Sequence, residues 1–412
     1  MSAAWNAHEE KFFNSLKRVL SNATLRLSYS LTAESGPTWV TNSSVVIRSS
    51  NPWRPTSGIR ESQLYISELA NEDLSFEKKH ELNVGFDLGL LSNRINLSAD
   101  WYTRRNFDLI GLTNTTGIGG EVMKYGNVAS MKSNGLELSL TTKNIVKKDF
   151  SWTTNIIYSH THNEVTDLEN EQRVIDLVSA SGFALEGYPV RSLFSIPFQG
   201  LNSEGLPTFI NQDGEPTTSD INFQESDPAK LGFLKYSGSI DPTDVGSVGN
   251  VLKYKGVTLN VFVTYSFGNV VRLDPVFSNR YNDLNAMPRE FENRWVVPGD
   301  EQKTTVPVIA SLRQNRNDVT LAYAYNAYNY STERIAKGDF IRLKEVSLGY
   351  DFPKRIVERI HLGNLSLKLQ ATNLFLLYAD KKLNGQDPEF QNTGGVAVPV
   401  PKQFTMTLRM GL

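Results

Sequence analysis

The chain ends in Phe404-Thr405-Met406-Thr407-Leu408-Arg409-Met410-Gly411-Leu412, nine residues that alternate without a break. Phe404, Met406, Leu408, Met410 and Leu412 share one parity, and Thr405, Thr407, Arg409 and Gly411 the other. Side chains along a strand point to opposite faces in turn, so this run has one apolar and one polar face. About nine to eleven tilted residues cross a hydrocarbon core as a strand.

The pattern recurs upstream. Leu25, Leu27, Tyr29 and Leu31 alternate with Arg26, Ser28, Ser30 and Thr32. Leu82, Val84, Phe86 and Leu88 alternate with Asn83, Gly85, Asp87 and Gly89. Ile95, Leu97, Ala99 and Trp101 alternate with Asn96, Ser98, Asp100 and Tyr102. Leu136, Leu138 and Leu140 alternate with Glu137, Ser139 and Thr141. Odd residues from Val257 to Phe267 form another apolar face, and Leu365, Leu367, Leu369 and Ala371 stand opposite Ser366, Lys368, Gln370 and Thr372.

Soluble sandwiches alternate too, so the connections decide. Leu91–Asn93 and Tyr254–Gly256 are very short. Stretches Ala33–Lys79, Glu164–Pro189, Gln212–Val245 and Asn269–Gly338 are far longer than ordinary loops. Short turns at one end and long loops at the other are the habit of outer-membrane barrels. The reading is all-β: a transmembrane antiparallel β-barrel wall of roughly 12 strands, the last (402–412) descending to the periplasm. The first complete strand, near Thr24–Thr32, then ascends. Residues 1–22 are expected to be a periplasmic segment, with a short amphipathic helix over His8–Leu20 through Phe12, Phe13, Leu16 and Leu20.

One strand breaks phase. Over Phe340–Phe352, Ile341 and Leu343 take one parity while Val346, Leu348 and Tyr350 take the other. That predicts a bulge near Lys344–Glu345, or a strand whose outer end has left the membrane. Aromatics collect at expected strand ends, among them Trp101, Tyr158, Tyr350, Phe352, Phe375 and Tyr378, as membrane-interface girdles do.

Bulk properties agree. The 412 residues carry 42 Lys and Arg against 44 Asp and Glu, no basic field for nucleic acid. The absence of cysteine excludes disulfide scaffolds, thiolate metal sites and cysteine nucleophiles. No apolar run approaches the ~20 residues of a membrane helix. A mean hydropathy of −0.32 suits a barrel with a polar lumen as well as a soluble protein. No Ser/His/Asp or paired-acid constellation stands out, so no enzyme and no cofactor is expected. His160 and His162 share a strand face but lack an evident third ligand. The run Thr116–Gly120 reads as a loop tip.

Several ordered runs carry a resemblance: Ser2–Trp5 (SAAW), Asn93–Ile110 (NRINLSADWYTRRNFDLI), Ser133–Leu140 (SNGLELSL), Asn293–Asp300 (NRWVVPGD), Asp339–Pro353 (DFIRLKEVSLGYDFP), Ala371–Phe375 (ATNLF) and Asp387–Glu389 (DPE). In this order the chain resembles the C-terminal barrel half of SusC/RagA-type TonB-dependent outer-membrane transporters of the Bacteroidetes. The resemblance implies a 22-stranded barrel around a plug, of which these would be about 12 strands, with the plug absent. It implies import of oligosaccharide or peptide, a SusD-like surface lipoprotein as lid, and coupling to the TonB complex through an N-terminal region not in this sequence. In that family SAAW ends a descending strand, so Met1 falls inside a strand. The sequence is therefore expected to be a fragment of a transporter, a truncated gene or a mis-set start. A half-barrel bares two strand edges, and each unpaired backbone group costs several kcal/mol in hydrocarbon. The alternatives are a non-functional remnant and, last, a soluble β-rich glycan-binding protein.

Candidate residues follow. In the longest outer loop, Arg294, Trp295 and Asp300 are candidates for contact with the lid or with sugar, or else form a structural turn. In the last outer loop, Asp387, Pro388 and Glu389 would hold Ca²⁺ or a lid residue, or else anchor the loop. On the polar parity, Arg26, Asn83, Asp87, Asn96, Glu137, Lys368, Gln370 and Arg409 are expected to face the lumen and mostly meet the plug.

Overall fold

The computed structural model describes residues 1–36, 45–51, 62–68, 70–71, 74–114, 123–275, 289–390 and 401–411. The run Thr116–Gly120 and the last residue, Leu412, lie outside the described residues.

One antiparallel sheet dominates. Its strands are β1 (Ser2–Asn6), β2 (Leu20–Glu34), β3 (Glu77–Leu90), β4 (Ile95–Asn114), β5 (Met123–Val146), β6 (Phe150–Leu168), β7 (Asp244–Tyr254), β8 (Val257–Phe267), β9 (Phe340–Asp351), β10 (Asn364–Ala379) and β11 (Gln403–Gly411). Each pairs with its neighbour in chain order, so the sheet is a simple meander with β1 and β11 at its edges. Among the described residues the wall holds eleven strands, in keeping with the roughly 12 expected. The expected terminal strand is present as β11, and Leu25 and Leu27 of β2, like Phe404 and Met406 of β11, are exposed on the apolar parity. An apolar face this broad would be unusual on a monomeric soluble protein and suits lipid.

The phase break is a bulge at Lys344. β8 sets Phe262 opposite Glu345 and Val263 opposite Leu343, leaving Lys344 without an opposite residue. The extra residue lets Ile341 and Leu343 rejoin the face of Val346 and Leu348. Aromatic pairs sit at both ends of the wall. Tyr350 and Phe352 have ring centroids 4.9 Å apart near the short turns. Tyr265, Phe267 and Tyr378 form a chain of 5.6 and 6.4 Å near the long connections.

The short connections run tight. Leu91, Ser92 and Asn93 all take left-handed backbone, with φ of 52°, 58° and 58°. His8–Leu20 is not a regular helix: it forms two 3₁₀ turns, Ala7–Glu9 and Lys11–Ser15, with Phe13 buried and Phe12 exposed. Thirteen residues must here return the chain to the next strand, which leaves no room for a straight amphipathic helix.

The long connections are folded. Glu164–Pro189 and Gln212–Val245 belong to one connection between β6 and β7, and residues 190–211 add no strand to the wall. They form small sheets of their own, Ser192–Ser195 with Lys235–Ser239 and Phe198–Leu201 with Pro207–Ile210. This connection shares a core with the one between β8 and β9. Val174, Leu177, Phe194, Ile196 and Phe209 from the first pack with Phe291, Ala327 and Tyr328 from the second. Burial of each large apolar side chain contributes about 1.5–3 kcal/mol. Such a core explains why these segments exceed ordinary loop lengths. The connection after β2 carries a further hairpin, Val46–Ser50 with Gln63–Glu68.

Candidate functional site

The polar face of the wall carries an ion network near β2. The Arg26 guanidinium donates to Asp87 at 2.7 Å and to Asp100 at 2.9 Å. Ser98 donates to Asp87 at 2.6 Å. The cation lies over Gly85, where an added Cβ would sit 2.6 Å from Arg26 Cζ and 2.5 Å from an Asp100 oxygen. Glycine here leaves room for the cross-strand pairing, and a methyl group would push the Arg26 and Asp100 side chains aside. Further out along β3 and β4, Arg104 reaches Glu81 at 2.9 Å, with Lys79 at 3.4 Å from the same oxygen.

The other candidates on this face are spread widely. Asn83 stands opposite Ser28 and Tyr102. Asn96 donates to the Asn93 carbonyl at the short turn between β3 and β4, 3.0 Å away. Glu137 is exposed, opposite Asp100 and Ser159. Lys368 lies 3.8 Å from Glu345. Gln370 stands between Ser347 and Thr405, and Arg409, exposed, stands opposite Ser366. Arg26 and Asp87 therefore meet each other, while Lys368, Gln370 and Arg409 belong to the far side of the sheet. Asp100 was missed as a site residue. It shares the parity of Asn96 and Ser98, but its importance depends on register across three strands.

The outer loop candidates are held by their neighbours. Trp295 is 8% exposed, donates to Glu301 at 3.0 Å and packs on Gly205, where a Cβ would clash at 2.4 Å. Asp300 accepts from the backbone N–H of Val297 at 3.1 Å and of Val296 at 3.3 Å. These amides, Val297 first, hold the Asp300 carboxyl below the usual range, helped by Lys303. The Trp295 indole does the same for Glu301, with the Gly299 amide adding to it. Arg294 donates to the Phe291 carbonyl at 3.0 Å. The tip Val296–Gly299 remains exposed on this frame.

In the last outer connection, Asp387 and Glu389 converge on Arg342 of β9. Arg342 Nη2 reaches Asp387, and its Nε lies 3.1 Å from Glu389, near enough for an ion pair without hydrogen-bond alignment. Pro388 opens a 3₁₀ turn, Pro388–Phe390. Two further arginines are buried beneath the outer layer. Arg272 donates to the Phe194 carbonyl at 2.7 Å and to Ser195 Oγ at 3.0 Å. Burial lowers its guanidinium to about 9, so it stays charged at neutral pH. Arg334 pairs with Glu290 and donates to the Asp274 carbonyl at 2.6 Å. Sequence reading had no signal for these two, because their partners are carbonyls and acids far away in the chain.

His160 pairs with Asp244 at 2.9 Å. Among the described residues no group of three His, Cys, Asp or Glu is gathered as a metal site. A cavity of about 450 Å³ opens in the outer layer between Leu177, Tyr188, Phe194 and Leu234, with Glu171 and Glu186 also lining it.

The family description "TonB dependent receptor-like, beta-barrel" matches residues 15–374. TonB-dependent receptor P3 of Formosa agariphila is 25% identical over 94% of this chain and 37% of its own length. TonB-dependent receptor SusC of Bacteroides thetaiotaomicron is 24% identical over the whole chain and 39% of its own length. The structure of the RagAB peptide transporter superposes with a TM-score of 0.77 at 23% identity, over 99% of this chain and 43% of that one. The chain thus spans about two-fifths of the relatives it matches. With the meander, the lipid-facing parity and the family match in agreement, the chain belongs to the TonB-dependent receptor β-barrel family of the outer membrane.

Proposed function

We propose that the chain is part of the wall of an importer for oligosaccharides or peptides, driven through TonB and covered by a SusD-like surface lipoprotein. One observation carries this reading. The two longest outer connections build a layer with its own core at the mouth of a wall whose inner face is polar. A passive wall needs no such layer, whereas loops placed on a rigid scaffold commonly carry binding. RagAB is a peptide transporter.

In this reading Arg26, Asn83, Asp87, Asn96, Glu137, Lys368, Gln370 and Arg409 face a plug supplied by the rest of the protein. Trp295 and Asp300 frame the exposed tip that Arg294 precedes, and the tip meets the lid. Asp387, Pro388 and Glu389 hold the last outer connection against Arg342 of β9. The test deletes the gene from its host and follows uptake of labelled oligosaccharides and peptides. Loss of one class names the cargo. Undiminished uptake of both sinks the proposal.

A further inference from the structure

The short-turn end of the wall carries a charge and apolar pattern that cargo transport does not explain. Residues 7–19, 91–94, 143–149, 253–256 and 351–363 hold twelve Lys and Arg against five Asp and Glu. The whole chain holds 42 against 44, so the remainder is 30 against 39. The net positive charge is confined to one rim.

The first of these turns also presents apolar side chains. Phe12, Leu16 and Val19 are 64%, 47% and 52% exposed. Their side is fixed by Trp5. It stands opposite Leu25, which lies on the lipid-facing parity, and its ring centroid is 6.3 Å from that of Phe12. The Trp5 indole also donates to Glu10 at 3.3 Å, tying the turn to the strand. Phe12 therefore extends the lipid-facing column of β1 and β2 beyond the end of β1. Lys11, Lys17 and Arg18 flank it. The turn over Lys354–Arg359 repeats the combination, with Ile356 and Ile360 exposed beside Arg355 and Arg359.

We infer that the Ala7–Val19 turn is an interfacial foot on the periplasmic leaflet. Phe12, Leu16 and Val19 enter the headgroup–acyl boundary, and Lys11, Lys17 and Arg18 meet the phosphates of anionic glycerophospholipids. Apolar insertion beside basic residues is how interfacial segments bind such surfaces. Continuity with the lipid-facing band selects lipid over a periplasmic protein as the occupant.

The test uses the full-length transporter in nanodiscs of phosphatidylethanolamine with phosphatidylglycerol. This chain has no cysteine, so L16C labelled with bimane reports from one place in it, any cysteine elsewhere in the protein being first replaced by serine. A headgroup-level nitroxide lipid should quench it at least about twofold more than aqueous iodide does. The variant K11E/K17E/R18E should lose most of that difference while keeping heat-modifiable migration, which reports the folded barrel. Strong iodide quenching without lipid quenching would place the turn in water and overturn the inference. Protection from both quenchers would place it under protein and overturn it equally. Lipid quenching unchanged by the triple substitution would overturn the headgroup contact.

Discussion

Arg342 of β9 and Asp387 of the last outer connection form a nearly buried ion pair, with side chains 6% and 10% exposed. The guanidinium Nη2 reaches both carboxylate oxygens, and Asp387 also accepts from the Glu389 N–H at 3.1 Å. A charge left alone in such a place is costly, whereas the pair itself contributes less.

Removing either partner, as in R342A or D387A, should therefore destabilise the outer end of the wall by about 3–5 kcal/mol. The double variant should cost clearly less than the sum of the two. Limited proteolysis of the full-length protein reads this, with faster cleavage in residues 380–402 for each single variant. Cleavage at the wild-type rate in both would mean that the pair is not holding this connection.

Acid should loosen the turn around Trp295. Asp300 and Glu301 both have carboxyls held below their ordinary range by amides and by the indole. A lowered folded value means the contribution is complete above the ordinary carboxylate range and is lost as pH falls through the lowered values. Trp295 lies against Glu301, so its emission should shift to the red during acidification. D300N/E301Q should show the shifted emission already at neutral pH. An emission spectrum of the double variant that matches wild type at pH 7 would contradict this.

A single methyl group at Gly205 should disturb the outer layer strongly. Its φ of +76° disfavours any L side chain, and the added Cβ would lie 2.4 Å from the Trp295 ring. G205A combines backbone strain with overpacking, each of order 1–3 kcal/mol. Proteolytic resistance of the outer layer should fall while heat-modifiable migration of the barrel persists. G214A, at φ +82° with no neighbour within 4 Å, separates the two effects and should cost less.

The wall was legible because its period is a property of the extended backbone. Leu25, Leu27 and Tyr29 declare their face whatever their neighbours are. The outer layer was not legible, since its contacts join distant residues. Ile196 bridges to Ser331, and Arg272 reaches back to the Phe194 carbonyl. Nothing local in WVVPGD distinguishes a tryptophan offered to a ligand from one packed on Gly205. Likewise Arg26 looks like any lumen arginine until register brings Asp100 to it.

The bulge at Lys344 allows a prediction that separates sequence phase from side-chain chemistry. K344A keeps the extra residue and loses only a pair with Glu389 at 3.9 Å, so it should cost less than about 1 kcal/mol. Deleting Lys344 removes the unpaired residue, so simple alternation keeps Ile341 and Leu343 on the face of Val346 and Leu348, and Arg342 stays on the polar face. The buried Arg342–Asp387 pair is then kept, and the cost of breaking such a pair, about 3–5 kcal/mol, is avoided. The deletion should therefore retain heat-modifiable migration of the full-length protein, as K344A does. Loss of migration in the deletion alone would mean that the extra residue is itself required to set β9 against β8 and β10.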